Sequence, residues 1–227
     1  DSIFFHGAMM SELDKSQSVA YYKSAISRGN TNAMNNYAMM LKTGDGLPQD
    51  QSEAARYFKL ASDQGDYNAM SNYAVMLDHG EGIPTDKRLA VDLYKKSADH
   101  GNSQSMFNYA VSLFNGDGIE SNKEEAIEYY KKAIEKGNSN AMYNYAFILK
   151  KGDGVPINEE LSVKYYKMAA DKGDPFAMNN YGNMLYNGDI VPEDKEEAMK
   201  YYKKAADKGD ASAMNNYANM LYRGEGS

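Results

Sequence analysis

The feature that most constrains this chain is a strict internal period. Met34, Met70, Met106, Met142, Met178 and Met214 follow one another at steps of 36 residues, with no insertion anywhere. The same step joins Tyr37, Tyr73, Tyr109, Tyr145, Tyr181 and Tyr217, and likewise Leu41, Leu77, Leu113, Leu149, Leu185 and Leu221. Asn36, Asn72, Asn108, Asn144, Asn180 and Asn216 form an unbroken polar column, and two glycine columns run from Gly29 and Gly44. A fixed period of this length means a stacked array, because one unit alone cannot bury its apolar face and neighbours must cover it.

Each unit reads as two helices. In the first, Ala33, Met34, Tyr37, Ala38 and Leu41 make one apolar stripe at helical spacing. Gly44 ends it as a left-handed cap, and Gly-Asp-Gly-Leu-Pro completes the connector. The second helix starts at a column of good N-cap residues, Asp14, Asp50, Asp86, Asn122, Asn158 and Asp194. Glu53, Glu125 and Glu197 stand three residues later, which predicts a capping box. Ala54, Ala55, Phe58, Ala61 and Ser62 supply its buried stripe, and Gly65 closes the unit. No segment alternates as a strand would. The expected fold is an all-α solenoid over 1–227 with units near 30–65, 66–101, 102–137, 138–173, 174–209 and 210–227. Residues 1–29 make a partial unit, with Phe5 at the Leu position and Ala8 at the Gly position. Neither end carries an obvious polar cap, which points to a segment of a longer array.

The chemistry available is narrow. There is no Cys, and the three histidines (His6, His79, His100) are scattered, so thiolate catalysis, disulfides and His-rich metal sites are not expected. A net charge of −7 argues against nucleic acid as partner. No apolar run is long enough to cross a membrane, and no signal peptide is recognisable, so the cytoplasm is the default compartment. The Gly-Asp-Gly connectors lack the alternating ligands and final Glu of a calcium loop and read as caps and turns. Phosphate-binding glycine motifs and the usual hydrolase motifs are missing, so no catalytic, cofactor or metal residue is assigned. The Tyr pairs Tyr21-Tyr22, Tyr129-Tyr130, Tyr165-Tyr166 and Tyr201-Tyr202 read as core, with hydroxyls reaching a loop or water, rather than as base-stacking platforms.

Three runs then carry a resemblance: Gly-Asn-Ser-Asn-Ala-Met-Tyr-Asn-Tyr-Ala from Gly137, Gly-Asp-Gly-Val-Pro from Gly152, and Tyr-Tyr-Lys-Met-Ala-Ala from Tyr165. The chain resembles the Sel1-like repeat (SLR) family, relatives of the tetratricopeptide repeats, over essentially its whole length. The resemblance implies a right-handed α/α superhelix of about six 36-residue units, acting as a protein-binding scaffold or adaptor. It also implies that the stripe opposite the buried face of the first helices lines a concave groove. Two departures stand out. Ile190 replaces the second loop glycine, so that loop is expected to be rearranged, and the lack of Cys separates this chain from the cysteine-rich branch.

The information lies where the units differ. Along the groove stripe the first unit is mostly polar (Asn32, Asn35, Met39, Lys42), whereas later units carry Phe107, Val111, Phe114, Tyr143, Phe147 and Phe176. These aromatic and apolar side chains sit where stacking does not require them and mark an interaction surface. The expected partner-binding residues are Phe107, Val111, Phe114, Tyr143, Phe147, Asn179, Asn183, Tyr186, Asn215 and Asn219, the asparagines reading an extended backbone. Lys42, Lys150, Lys151 and Arg223 lie near that stripe. The Asn36 column is assigned instead to stacking, as buried amides bonded to the backbone of the adjoining loop. The expected partner is a protein or peptide. The alternatives are a hydrolase acting on β-lactam or cell-wall-like substrates, by family analogy, and an array that self-associates end to end through its terminal repeats.

Overall fold

The structure, a computed structural model, describes residues 15–226; Asp14, His6 and the Phe5 and Ala8 positions lie outside them. Residues 15–26 form α1. Eleven further helices follow: α2 Thr31–Thr43, α3 Gln51–Asp63, α4 Tyr67–His79, α5 Lys87–Asp99, α6 Ser103–Asn115, α7 Lys123–Glu135, α8 Ser139–Lys151, α9 Glu159–Asp171, α10 Pro175–Asn187, α11 Lys195–Asp207 and α12 Ala211–Arg223. No strand occurs among the described residues. The helices gather into two compact units, residues 1–121 and 122–227.

Caps fix the helix boundaries. The first helices α2, α4, α6, α8, α10 and α12 begin at Asn30, Asp66, Asn102, Asn138, Asp174 and Asp210. Each of these side chains accepts from an amide of the first turn, as Asn138 does from the Ala141 N–H at 2.9 Å. This cap column directly follows the Gly29 glycine column and was not singled out by sequence. The second helices begin as expected; Asp50 accepts from the Glu53 N–H at 2.9 Å. At Asp50 and Asp194, however, the capping box is not completed, because their amides bond elsewhere. The Asp50, Asp86, Asn158 and Asp194 amides donate instead to the carbonyls of Leu41, Leu77, Leu149 and Leu185 in the preceding first helix. That bond satisfies an orphan carbonyl at the first helix's C-terminus, ties the two helices of a unit together, and leaves Glu53 to pair with Arg56.

The expected stripes form the cores. In the 1–121 unit Met34, Tyr37, Ala38 and Leu41 pack with Ala54, Ala55, Phe58 and Ala61. In the 122–227 unit Met142, Met178, Tyr181, Leu185, Tyr166, Tyr201 and Tyr202 share one cluster. Fully buried alanines let helix backbones approach, and the tyrosines fill the gaps edge to face: Tyr37 on Tyr57 at 5.1 Å, Tyr145 on Tyr165 at 5.2 Å and Tyr181 on Tyr201 at 5.0 Å between centroids. Each buried large apolar side chain is worth roughly 1.5–3 kcal/mol, so these recurring sets outweigh the weak helix propensity of an Asn-rich first helix. One sequence expectation fails at α12. Met214 and Leu221 stand in the buried columns yet are 47% and 54% exposed, because among the described residues only the preceding α11 packs on α12 and no second helix follows to cover its other side.

Candidate partner-binding face

The stripe opposite the core on the first helices holds the residues expected to bind a partner. Phe107, Val111 and Phe114 lie on α6 in the 1–121 unit, all half-buried. The other seven lie on α8, α10 and α12 of the 122–227 unit, and several of these the fold brings together. Tyr143 of α8 stands between Tyr166, edge to face at 5.7 Å, and Phe176 at the start of α10, tilted at 6.2 Å. Burial raises the Tyr143 phenol above its ordinary range, and the nearby Asp174 carboxylate adds to the shift. Phe147, one turn along α8, is 49% exposed, and Phe176 is 57% exposed. The Lys151 ammonium lies 5.8 Å from the Phe147 ring. Ser71, placed on the same stripe by spacing in α4, is buried instead.

Farther along α10, the helices α10, α11 and α12 line an open cavity of about 250 Å³ formed by Asn183, Tyr186, Asn187, Tyr202, Asn216, Asn219, Met220 and Arg223. Its wall is a hydrogen-bonded network. The Tyr202 hydroxyl donates to Asn183 Oδ1 at 2.7 Å, and the Asn216 amide donates to Asn179 Oδ1 at 3.0 Å and Asn183 Oδ1 at 3.2 Å. Arg223 Nη1 donates to the Tyr186 hydroxyl at 3.2 Å, which donates to Glu225 at 2.8 Å. The Lys195 ammonium lies 3.1 Å from Glu225 and 5.1 Å from the centre of the Tyr186 ring. Burial pushes the Tyr202 phenol up to about 12. The hydroxyl of Tyr186, and then Lys195, hold the Glu225 carboxyl below its usual range.

These bonds correct the expected role of the Asn36 column. Its members are half-buried or, at Asn36, exposed, and they do not serve the adjoining loop. Asn72 donates to Asn35 at 2.9 Å, Asn144 reaches the Tyr130 hydroxyl at 3.5 Å, and Asn180 donates to the Phe176 carbonyl at 2.9 Å. A face turned between two first helices and the tyrosine of the intervening second helix offers side-chain partners, whereas the loop backbone is satisfied by its own helices. Asn179 and Asn183 therefore have their oxygens engaged within the protein. Asn215 and Asn219 are exposed. Sequence reasoning missed Asn187, Tyr202, Asn216 and Met220 as cavity walls: Tyr202 had been given to the core and Asn216 to stacking, and their hydroxyl and amide groups reveal the site only once α10 and α12 are adjacent.

The repeat geometry has a counterpart in sequence families. A Sel1 repeat model matches residues 2–30, 31–66, 68–102, 103–138, 139–174, 175–210 and 211–227. This chain belongs to the Sel1 repeat family. Among solved structures, it is similar to a Sel1 repeat protein from Oxalobacter formigenes, with 29% identity, a TM-score of 0.79, and coverage of 84% of this chain and 78% of that one. It is also similar to a protective antigen of uropathogenic Escherichia coli strains with an SLR fold, at 27% identity and TM-score 0.78, covering 92% of this chain. The chain spans 44% of that antigen's length. No curated protein matches the sequence. The Sel1 fold is an all-helical repeat solenoid that generally serves as a non-catalytic, protein-interaction scaffold. Among the described residues no group of acidic or histidine side chains is placed to hold a metal, and no helix is long and apolar enough to cross a membrane.

Proposed function

We propose that this chain is an interaction scaffold whose first-helix face over α8, α10 and α12 holds a segment of a partner protein. The observation that carries the reading is that exposed Phe147 and Phe176 and the polar cavity lined by Asn183, Asn219 and Arg223 lie on the successive first helices α8, α10 and α12. Aromatic side chains bury much area with few rotatable bonds and so act as anchors, while amides that both donate and accept suit a peptide backbone. The exposed amides of Asn215 and Asn219 do the reading, and Asn179 and Asn183 hold the wall in shape. Phe107, Val111 and Phe114 offer a surface of the same kind on α6, within the 1–121 unit.

The test is to select a displayed peptide library on the purified chain and measure the affinity of the enriched peptides. Phe147→Ala with Phe176→Ala should weaken binding by about thirtyfold or more, the factor that ~2 kcal/mol of lost anchor energy represents. Lys131→Ala with Glu135→Ala, on exposed positions of α7, should leave it unchanged. Loss of binding in the α7 pair alone would place the interaction elsewhere.

A further inference from the structure

The connectors between first and second helices are held to the preceding repeat by a recurring clamp. A basic residue at the start of a second helix pairs with the acidic residue 30 positions later: Lys15 with Asp45, Lys87 with Asp117, Lys123 with Asp153 and Lys195 with Glu225. The glycine that follows the acid lies against the same helix start. A β-carbon on Gly82 would come within 2.4 Å of the Gln51 carbonyl carbon, on Gly118 within 2.6 Å of the Lys87 carbonyl oxygen, and on Gly226 within 2.8 Å of the Lys195 carbonyl oxygen. The acid's own amide turns back onto the first helix: Asp45, Glu81, Asp117, Asp153 and Glu225 donate to Met40, Met76, Ser112, Ile148 and Met220.

The α10–α11 connector lacks all three restraints. The clamp positions hold Glu159 and Asp189, two carboxylates. Ile190 replaces the glycine, and no non-glycine residue among those described adopts a positive φ, so this backbone cannot repeat the glycine's left-handed approach. The Asp189 amide makes no bond to Met184 of the kind found in the other five. What remains is Ile190 and Val191, half-buried on the core cluster, a 3.3 Å hydrogen bond from the Asn187 side-chain amide to Asp189, and the bonds at the connector's two ends from the Gly188 amide to Met184 and from the Asp194 amide to Leu185. Asn187, which lines the cavity, stands directly before this connector.

We propose that the connector over 188–193 is a joint built into the 122–227 unit, opening more readily than its equivalents and allowing the Tyr186–Asn187 wall of the cavity to adjust. The joint is a property of the free chain and does not depend on a ligand, so its failure and the failure of the binding reading are distinguishable. Amide hydrogen exchange on the whole chain tests it. Residues 188–193 should exchange about five- to thirtyfold faster than 152–157 and 116–121, the range that ~1–2 kcal/mol of lost restraint corresponds to. Glu159→Lys combined with Ile190→Gly recreates the Lys123 and Gly154 pattern and should bring the connector to the rate of 152–157, with the other connectors unchanged. Because Ile190 also packs on the core, Glu159→Lys alone is measured beside it and should slow exchange part of the way. Equal exchange at 188–193 and 152–157 in the unaltered chain, or a rate that Glu159→Lys does not slow, overturns the proposal.

Discussion

Ser105→Ala should stabilise the protein. Ser105 stands on α6 in a column otherwise occupied by Ala33, Ala69, Ala141, Ala177 and Ala213, all buried. It is 0% exposed, and its hydroxyl has no hydrogen-bond partner. An unsatisfied buried hydroxyl costs about 1–3 kcal/mol relative to water. Removing one oxygen leaves a void smaller than a methyl group, whose penalty is below ~1 kcal/mol, and Ala gains a few tenths of a kcal/mol in helix propensity. The balance is a gain of about 1 kcal/mol. Ser162 provides the opposite case. It too is 0% exposed, but its hydroxyl donates to the Ala146 carbonyl at 2.7 Å, so Ser162→Ala should lose about 1 kcal/mol. Urea unfolding followed by circular dichroism measures both, and the midpoint should move up for one and down for the other with unchanged slope. A Ser105→Ala protein no more stable than the parent would show that the hydroxyl is satisfied after all.

Gly152→Val should cost at least ~1 kcal/mol, since Gly152 sits at φ 72° and an added β-carbon would meet Ile157 Cγ1 at 2.6 Å; a thermal melt at the parent temperature would refute this. Burial raises the Asp174 carboxyl above its ordinary range, so its ionised form is unfavourable at pH 7 and that penalty fades as pH falls through the raised value. Asp174→Asn keeps an equally good N-cap and should raise the melting temperature at pH 7, with the advantage shrinking in acid; an advantage that grows in acid would reverse the sign. The phenols of Tyr94, Tyr130, Tyr166, Tyr201 and Tyr202 are raised chiefly by burial, so they favour folding fully below about pH 10 and progressively less above it. The melting temperature should therefore drop above that pH, less steeply in Tyr202→Phe, as a pH series of thermal melts would record.

The all-helical repeat architecture was legible in the residues because it depends on local and repeated chemistry. A helix face is set by spacing within about a dozen residues, and caps such as Asp50 and Gly44 act on the turn next to them. Repetition at 36 residues then makes each unit the template for its neighbours, so packing columns can be read without coordinates. The departure at Ile190 was visible for the same reason. What needed the tertiary structure was every outcome set by a partner distant in sequence. The Asp50 amide chooses the Leu41 carbonyl over Glu53 because the hairpin brings that orphan acceptor within reach. The Asn216 amide turns to Asn179 and Asn183, 37 and 33 residues away, because adjacent first helices present those oxygens together. Leu41 and Leu221 occupy the same repeat position, yet one is 5% and the other 54% exposed, because a neighbouring helix covers only the first. Spacing identifies the face a side chain belongs to, but hydrogen-bond choice and burial depend on which groups the folded chain places opposite it.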